Sequence, residues 1–170
     1  MGYDGSVGGE VFMRPLRVYL ETSVFNFVFA DDAPDKREDT LALFQEIEQG
    51  KYVAFTSVYA IAELQRAPEP KYGKMIDFIK RHTIIYLPAS EETEHLAETY
   101  VAEGIIPARY LNDALHIAAA TVNDMDLLIS YNFKHIVKLK TVTLAEVVNL
   151  REGYRRIGIF SPTEVIENVE

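Results

Sequence analysis

Four polar residues, Glu21, Glu63, Asp113 and Asn132, each stand at the end of an apolar strand-like run or on a helix beside one. Carboxylates gathered into a cleft repel one another more steeply as the local dielectric falls, and a bound divalent cation offsets that repulsion. Oxygen ligands of this kind suit Mg²⁺ or Mn²⁺, with water completing the shell. Such a set points to metal-assisted hydrolysis.

The placement follows from the elements that must carry these side chains. In an open parallel sheet, ligands bind outside the carboxyl ends of the strands. Glu21 directly follows the apolar run LRVYL, and Asn132 follows DLLIS by one tyrosine. Glu63 lies about two helical turns beyond YVAFTS, on the otherwise apolar segment VYAIAEL. Asp113 belongs to LNDALHIAAATV, whose alanine and isoleucine content predicts a helix packed closely against the sheet. That helix leads into DLLIS, so its amino end lies near the carboxyl end of that strand, and Asp113 projects towards Asn132.

Each residue also has a plainer explanation. Glu21 can be a surface residue beside a Thr22 or Ser23 cap, Glu63 can reach solvent, Asp113 or Asn112 can cap a helix, and Asn132 can close a turn. Their common placement carries the weight. Asp124 and Asp126 fall about 16 Å away, at the opposite end of DLLIS, and read as turn residues. His116, one turn after Asp113, reads as a packed residue of an alanine-rich helix. His82 and His95 lack metal-like spacing, Ser57 and Ser130 have no accompanying triad pattern, and there is no glycine-rich phosphate loop.

The chain has 170 residues and is 48% hydrophobic, enough for one sizeable core and short for two domains. Residues 1–14 are glycine-rich and aperiodic and are expected to form a flexible extension, with one domain over 15–170. The runs LRVYL, YVAFTS, TIIYLP, DLLIS and IGIFS predict strands. Apolar residues at helical spacing predict helices over 40–49, 58–65, 74–81, 91–103 and 109–122. KTVTL reads as a further short strand, followed by a helix from Ala145 to about Arg151. Thr143 with Glu146 and Ser161 with Glu164 have capping-box spacing. The alternation implies a parallel sheet covered on both faces.

The formal charge of −9 argues against a general polyanion binder, although Lys134, His135, Lys138, Lys140, Arg151, Arg155 and Arg156 concentrate positive charge locally. The absence of cysteine fits a reducing cytoplasm. No apolar stretch approaches the roughly 18 residues of a membrane span, and the amino-terminal segment lacks the features of a signal peptide, so neither membrane insertion nor export is expected.

The segments VYLETSVFN, TSVYAIAEL, NDALHIAAA and LLISYNFKHIV, in that order, resemble the PIN-domain ribonucleases, a family that includes many toxins of bacterial and archaeal toxin–antitoxin pairs. IGIFSPTEVIE resembles the end of one PIN subgroup and extends the match nearly to the carboxyl terminus. The resemblance implies a three-layer α/β/α domain with a central parallel sheet of about five strands. It also implies Mg²⁺- or Mn²⁺-dependent endonuclease activity on RNA.

The family's three acids fall on Glu21, Glu63 and Asp113, the implied metal ligands, and its frequent fourth aspartate falls on Asn132. Glutamate in place of the usual first aspartate adds a methylene, and asparagine at the fourth position removes a charge. Glu63 would position the metal shell or accept a proton from water, and Asn132 would orient a water or a phosphate oxygen. Thr22 or Ser23 would add a hydroxyl ligand, and Lys134, His135 and Lys138 would contact the RNA backbone. The resemblance further implies an antitoxin partner and a homodimer. A PIN-like domain that binds RNA or protein without cleavage is the alternative, and Asn132 and the overall acidity favour it.

Overall fold

The computed structural model describes residues 14–167. Its frame is five strands, β1 (Leu16–Leu20), β2 (Tyr52–Ser57), β3 (Ile85–Leu87), β4 (Leu127–Ile129) and β5 (Gly158–Phe160). All four pairings are parallel, and the order across the sheet is β3-β2-β1-β4-β5. The chain therefore builds outwards from β1 in one direction, then returns to place β4 on its other side. The carboxyl ends of β1 and β4 flank this reversal, where open α/β sheets form ligand crevices.

The helices are α1 (Thr22–Val28), α2 (Pro34–Glu48), α3 (Val58–Leu64), α4 (Lys71–Arg81), α5 (Glu91–Ala102), α6 (Leu111–Val122), α7 (Leu139–Arg151) and α8 (Pro162–Val165), with a 3₁₀ turn at Ala108–Tyr110. Side chains alternate across each strand, so β1 sends Tyr19 into one core and Val18 and Leu20 into the other. The Tyr19 core is filled from α5, α6 and α7, and the opposite core from α1, α2, α3 and α4. Alanines 118, 119 and 120 of α6 are fully buried, as expected of a helix whose short side chains allow close approach to its neighbours. These layers form a three-layer α/β/α fold around a parallel sheet.

Several local expectations are corrected. KTVTL lies inside α7 rather than in a strand. Its alternation of Thr and Val mimics a strand over five residues, but Ala145 and Val148 continue an apolar helical spacing into the core. Thr143 sits within this helix, donating its hydroxyl hydrogen bond to Leu139 and Lys140 carbonyls, so it caps nothing with Glu146. The Ser161–Glu164 capping box is present. Helix α2 starts at Pro34 instead of Thr40, with proline at the first helical position and Asp35 in the first turn. Helix α1 was not expected; TSVFNFV is rich in β-branched and aromatic residues, and burial of Val24, Phe25 and Val28 holds it.

The expected extension lies outside the described residues except for Arg14, whose guanidinium bonds to Asp126. Asp126 also accepts from the Arg17 backbone and from Arg155, so it ties the amino ends of β1 and β4 to the segment before β5. The hydrogen bond from Arg14 leads the causes that hold its carboxyl far below the ordinary range. Of the expected basic concentration, the three arginines are neutralised. Arg151 pairs with Glu103, Arg155 with Asp124 and Asp126, and Arg156 with Glu146.

Candidate metal centre

Glu21 is the first residue past β1, and its backbone N–H donates to the Ile129 carbonyl, prolonging the β1–β4 ladder by one bond. The side chain is held across the reversal. Its Oε1 accepts 2.6 Å hydrogen bonds from Ser23 Oγ on α1 and from Ser130 Oγ just after β4. Ser23 Oγ in turn accepts from the Tyr131 backbone, so both flanking segments are fastened through one carboxylate. Glu21 is only 4% exposed, and among the described residues its Oε2 has no hydrogen-bond donor.

Glu63 enters from the last turn of α3, a helix fixed to the end of β2 by Ser57, whose hydroxyl caps the Ala60 N–H. Its Oε1 receives hydrogen bonds from Thr22 Oγ1 at 2.7 Å and from His116 Nε2 at 2.5 Å. His116 is fully buried, and its Nδ1 lies 2.6 Å from Tyr19 Oη, which lies 2.6 Å from Ser57 Oγ. An unbroken chain of polar atoms thus runs from the α3 cap through Tyr19 and His116 to Glu63.

The electrostatics of this chain have opposing parts. Burial alone would favour neutral His116, yet the Glu63 hydrogen bond and the fields of Glu21, Glu63 and Asp113 raise its pKa. Burial would raise the Glu63 pKa, but the His116 hydrogen bond and charge, with Thr22, lower it. The direction for both is an imidazolium–carboxylate pair. Burial holds the Tyr19 phenol well above its ordinary pKa, so it stays protonated. It can then accept from His116 Nδ1 and donate to Ser57 Oγ.

Donor atoms of Glu21, Glu63 and His116 lie within 4.8 Å of one another. His116 Nε2 is 4.0 Å from Glu21 Oε2. A carboxylate oxygen without a donor among the described residues, on a residue only 4% exposed and facing a second carboxylate and an imidazole, fits a divalent cation. With His116 donating to Glu63 as an imidazolium, the free ligands are carboxylate oxygens, which suit Mg²⁺ or Mn²⁺.

The other expected site residues stand differently. Asp113, in the first turn of α6, acts on His116 through its field, but its Oδ2 is 3.0 Å from His135 Nδ1 and it is outside the tight donor group. Asn132 closes the turn after β4, its Oδ1 accepting from the His135 N–H and its carbonyl from Ile136 and Val137. Thr22 and Ser23 direct their hydroxyls at Glu63 and Glu21. His135 is held between Asp113 and the Tyr110 ring, with ring centroids 4.0 Å apart. Lys134 lies over the same Tyr110 ring, and Lys138 is exposed at the start of α7.

His116, Tyr19 and Ser130 are the participants that sequence reasoning passed over. One signal was available for His116: it lies three residues after Asp113, on the same helical face.

No family model matches the sequence, and no curated protein matches it significantly. Solved structures do. The fold aligns with a chain of VapBC2 from Rickettsia felis, solved bound to a DNA fragment from its promoter, at a TM-score of 0.54 and 15% identity, covering 86% of this chain and 98% of that one. It also aligns with VapC20 of Mycobacterium tuberculosis, a sarcin-ricin loop cleaving toxin, at a TM-score of 0.53 and 9% identity, covering 82% and 98%. VapC toxins are PIN-domain ribonucleases. At these identities the likeness is one of fold, and the chain shares the α/β architecture of these toxins.

Proposed function

We propose that the protein is a metal-dependent endoribonuclease of the toxin type, hydrolysing RNA phosphodiester bonds at the β1–β4 reversal. One observation carries this reading: Glu21, buried and anchored through Oε1, presents an oxygen without a donor towards Glu63 and His116. Glu21 and Glu63 would hold Mg²⁺ or Mn²⁺, with Asp113 acting directly or through water. When bound, the cation supplies a water of lowered pKa and neutralises charge at the phosphate.

Glu63 is oriented by Thr22 and His116 to accept a proton from the attacking water. In-line attack would leave a 5′-phosphate and a 3′-hydroxyl. Asn132 shapes the loop that carries Lys134 and His135 and would orient a water or phosphate oxygen. Lys134 and Lys138 would meet the RNA backbone.

The same reading brings an antitoxin partner, a cytoplasmic setting and a homodimer. Helix α7 leaves Leu139, Val147 and Leu150 exposed at 80%, 61% and 57%, a face that a second copy would cover. Among the described residues no helix is long and apolar enough to cross a membrane.

A non-cleaving PIN-like domain is the second reading. It is favoured by His116, which already offsets the two glutamates, and by the pairing of Asp113 with His135. Incubation of metal-stripped protein with a mixed RNA pool, with and without Mn²⁺, separates the two. Cleavage that requires Mn²⁺ and is lost in Asp113→Asn supports the nuclease. Intact RNA under both conditions supports the second reading.

A further inference from the structure

The segment after β4 carries a feature that metal chemistry does not use. Lys36 Nζ, at the start of α2, lies 5.1 Å from the Phe27 ring centroid, 5.8 Å from Tyr131 and 5.9 Å from Phe133. The arrangement is anchored from beneath. Tyr131 is 7% exposed, and its hydroxyl bonds to Thr40 Oγ1 and the Lys36 carbonyl on α2. Phe27 packs on Tyr131 at 4.5 Å between centroids. Phe133, by contrast, is 50% exposed.

Phe133 follows Ser130, the residue bonded to Glu21, by three positions, so the two backbones lie within about 11 Å of one another. Among the described residues Lys36 has no carboxylate within ion-pair distance. An exposed aromatic side chain on the segment that leaves β4, a few residues from the one bonded to Glu21, thus stands beside this cation. The pairing matches the two parts of a nucleotide, a flat base and an anionic phosphate.

We infer that Phe133, supported by Tyr131 and Phe27, is a stacking platform for an unpaired nucleobase next to the scissile phosphate, with Lys36 meeting the adjoining phosphate. This rests on the ribonuclease reading and adds a way for an acidic protein to hold RNA. With Arg151, Arg155 and Arg156 neutralised in ion pairs, electrostatic capture is weak, whereas stacking does not depend on net charge. A duplexed base has both faces covered by its neighbours and is not available to the platform.

The test is binding in EDTA, where affinity is read without cleavage, using fluorescein-labelled single-stranded RNA, the same strand with abasic positions, and its duplex. Phe133→Ala should weaken single-strand binding roughly 5- to 100-fold. Phe133→Leu should resemble it, and Phe133→Trp should restore affinity. Abasic RNA should bind wild-type protein as weakly as intact RNA binds Phe133→Ala, with no further loss when the two changes are combined. The duplex should show no sensitivity to Phe133.

Equal binding by wild type, Phe133→Ala and Phe133→Leu would overturn the proposal, as would absence of RNA binding. Loss of self-association in Phe133→Ala with unchanged RNA affinity would assign this face to a second copy instead. The ribonuclease reading fails separately: stacking-dependent binding without Mn²⁺-dependent cleavage would leave the platform standing and remove the enzyme.

Discussion

The two ends of the central sheet treat their wholly or partly buried carboxylates in opposite ways. At the amino end, Asp126 meets the guanidinium groups of Arg14 and Arg155 and the backbone N–H of Arg17. Fixed positive charge and a main-chain donor leave its oxygens committed. At the carboxyl end, Glu21 is held by two neutral hydroxyls and keeps one oxygen without a donor among the described residues, and Glu63 is held by the Thr22 hydroxyl and a titratable imidazole. Positions served by arginine are structural ties. Positions served by hydroxyls and histidine are the ones at which the proposed function places a cation.

The largest expected effect lies at the carboxyl end. Glu21→Gln should lower Mn²⁺-dependent cleavage by about 10²- to 10⁴-fold, with the metal-free fold nearly as stable as wild type, measured by single-turnover cleavage and chemical denaturation. Undiminished cleavage would remove Glu21 from the site.

The mirror experiment is Asp126→Asn. Stability should drop by about 2 kcal/mol through weakened charge-assisted hydrogen bonds, while cleavage by the folded fraction stays the same. Because the folded pKa of Asp126 is depressed, its contribution holds above the ordinary carboxylate value near 4 and is lost as pH falls below it. Denaturation midpoints between pH 2 and 7 would show a flatter acid limb in the variant. A loss of activity as large as that of Glu21→Gln would erase the contrast between the two ends.

The Glu63–His116 pair should give a pH signature that Asp126 lacks. The raised pKa of His116 means its contribution is complete below the ordinary imidazole value of 6.5 and is lost as pH rises through the folded value. The lowered pKa of Glu63 means its contribution is present above 4.5 and is lost as pH falls. Metal-free stability should therefore be greatest between about 4.5 and 6.5, and His116→Gln should abolish the decline on the alkaline side. The smallest effect concerns salt. With Lys36, Lys134 and Lys138 as backbone contacts, the logarithm of single-strand affinity should fall against that of salt with a slope of about −2, and a much steeper slope would mean that paired arginines also bind.

The same contrast explains what was legible in the sequence. LRVYL and YVAFTS mark β1 and β2 at their observed bounds because doubly covered parallel strands are continuous apolar runs. Glu21 and Glu63 stood out because each is an acid set against an apolar segment. Helix α1 was hidden because its residues prefer strands and only tertiary burial makes it helical. His116 was obscured for a related reason: an alanine-rich helix makes histidine look like packing, and its partner Tyr19 is 97 positions away. The pairing of Asp113 with His135 depends on the turn that Asn132 closes, which spacing alone does not reveal.

The central claim is that Glu21 and Glu63, beside His116, hold a divalent cation, and calorimetric titration of metal-stripped protein with Mn²⁺ tests it most directly. The expected result is specific binding in wild type that is lost in Glu21→Gln and retained in Asp126→Asn. It should also stabilise the wild-type fold by about 2.7 kcal/mol at one hundred times the dissociation constant. Absence of specific binding in wild type, or an unchanged isotherm in Glu21→Gln, would contradict it.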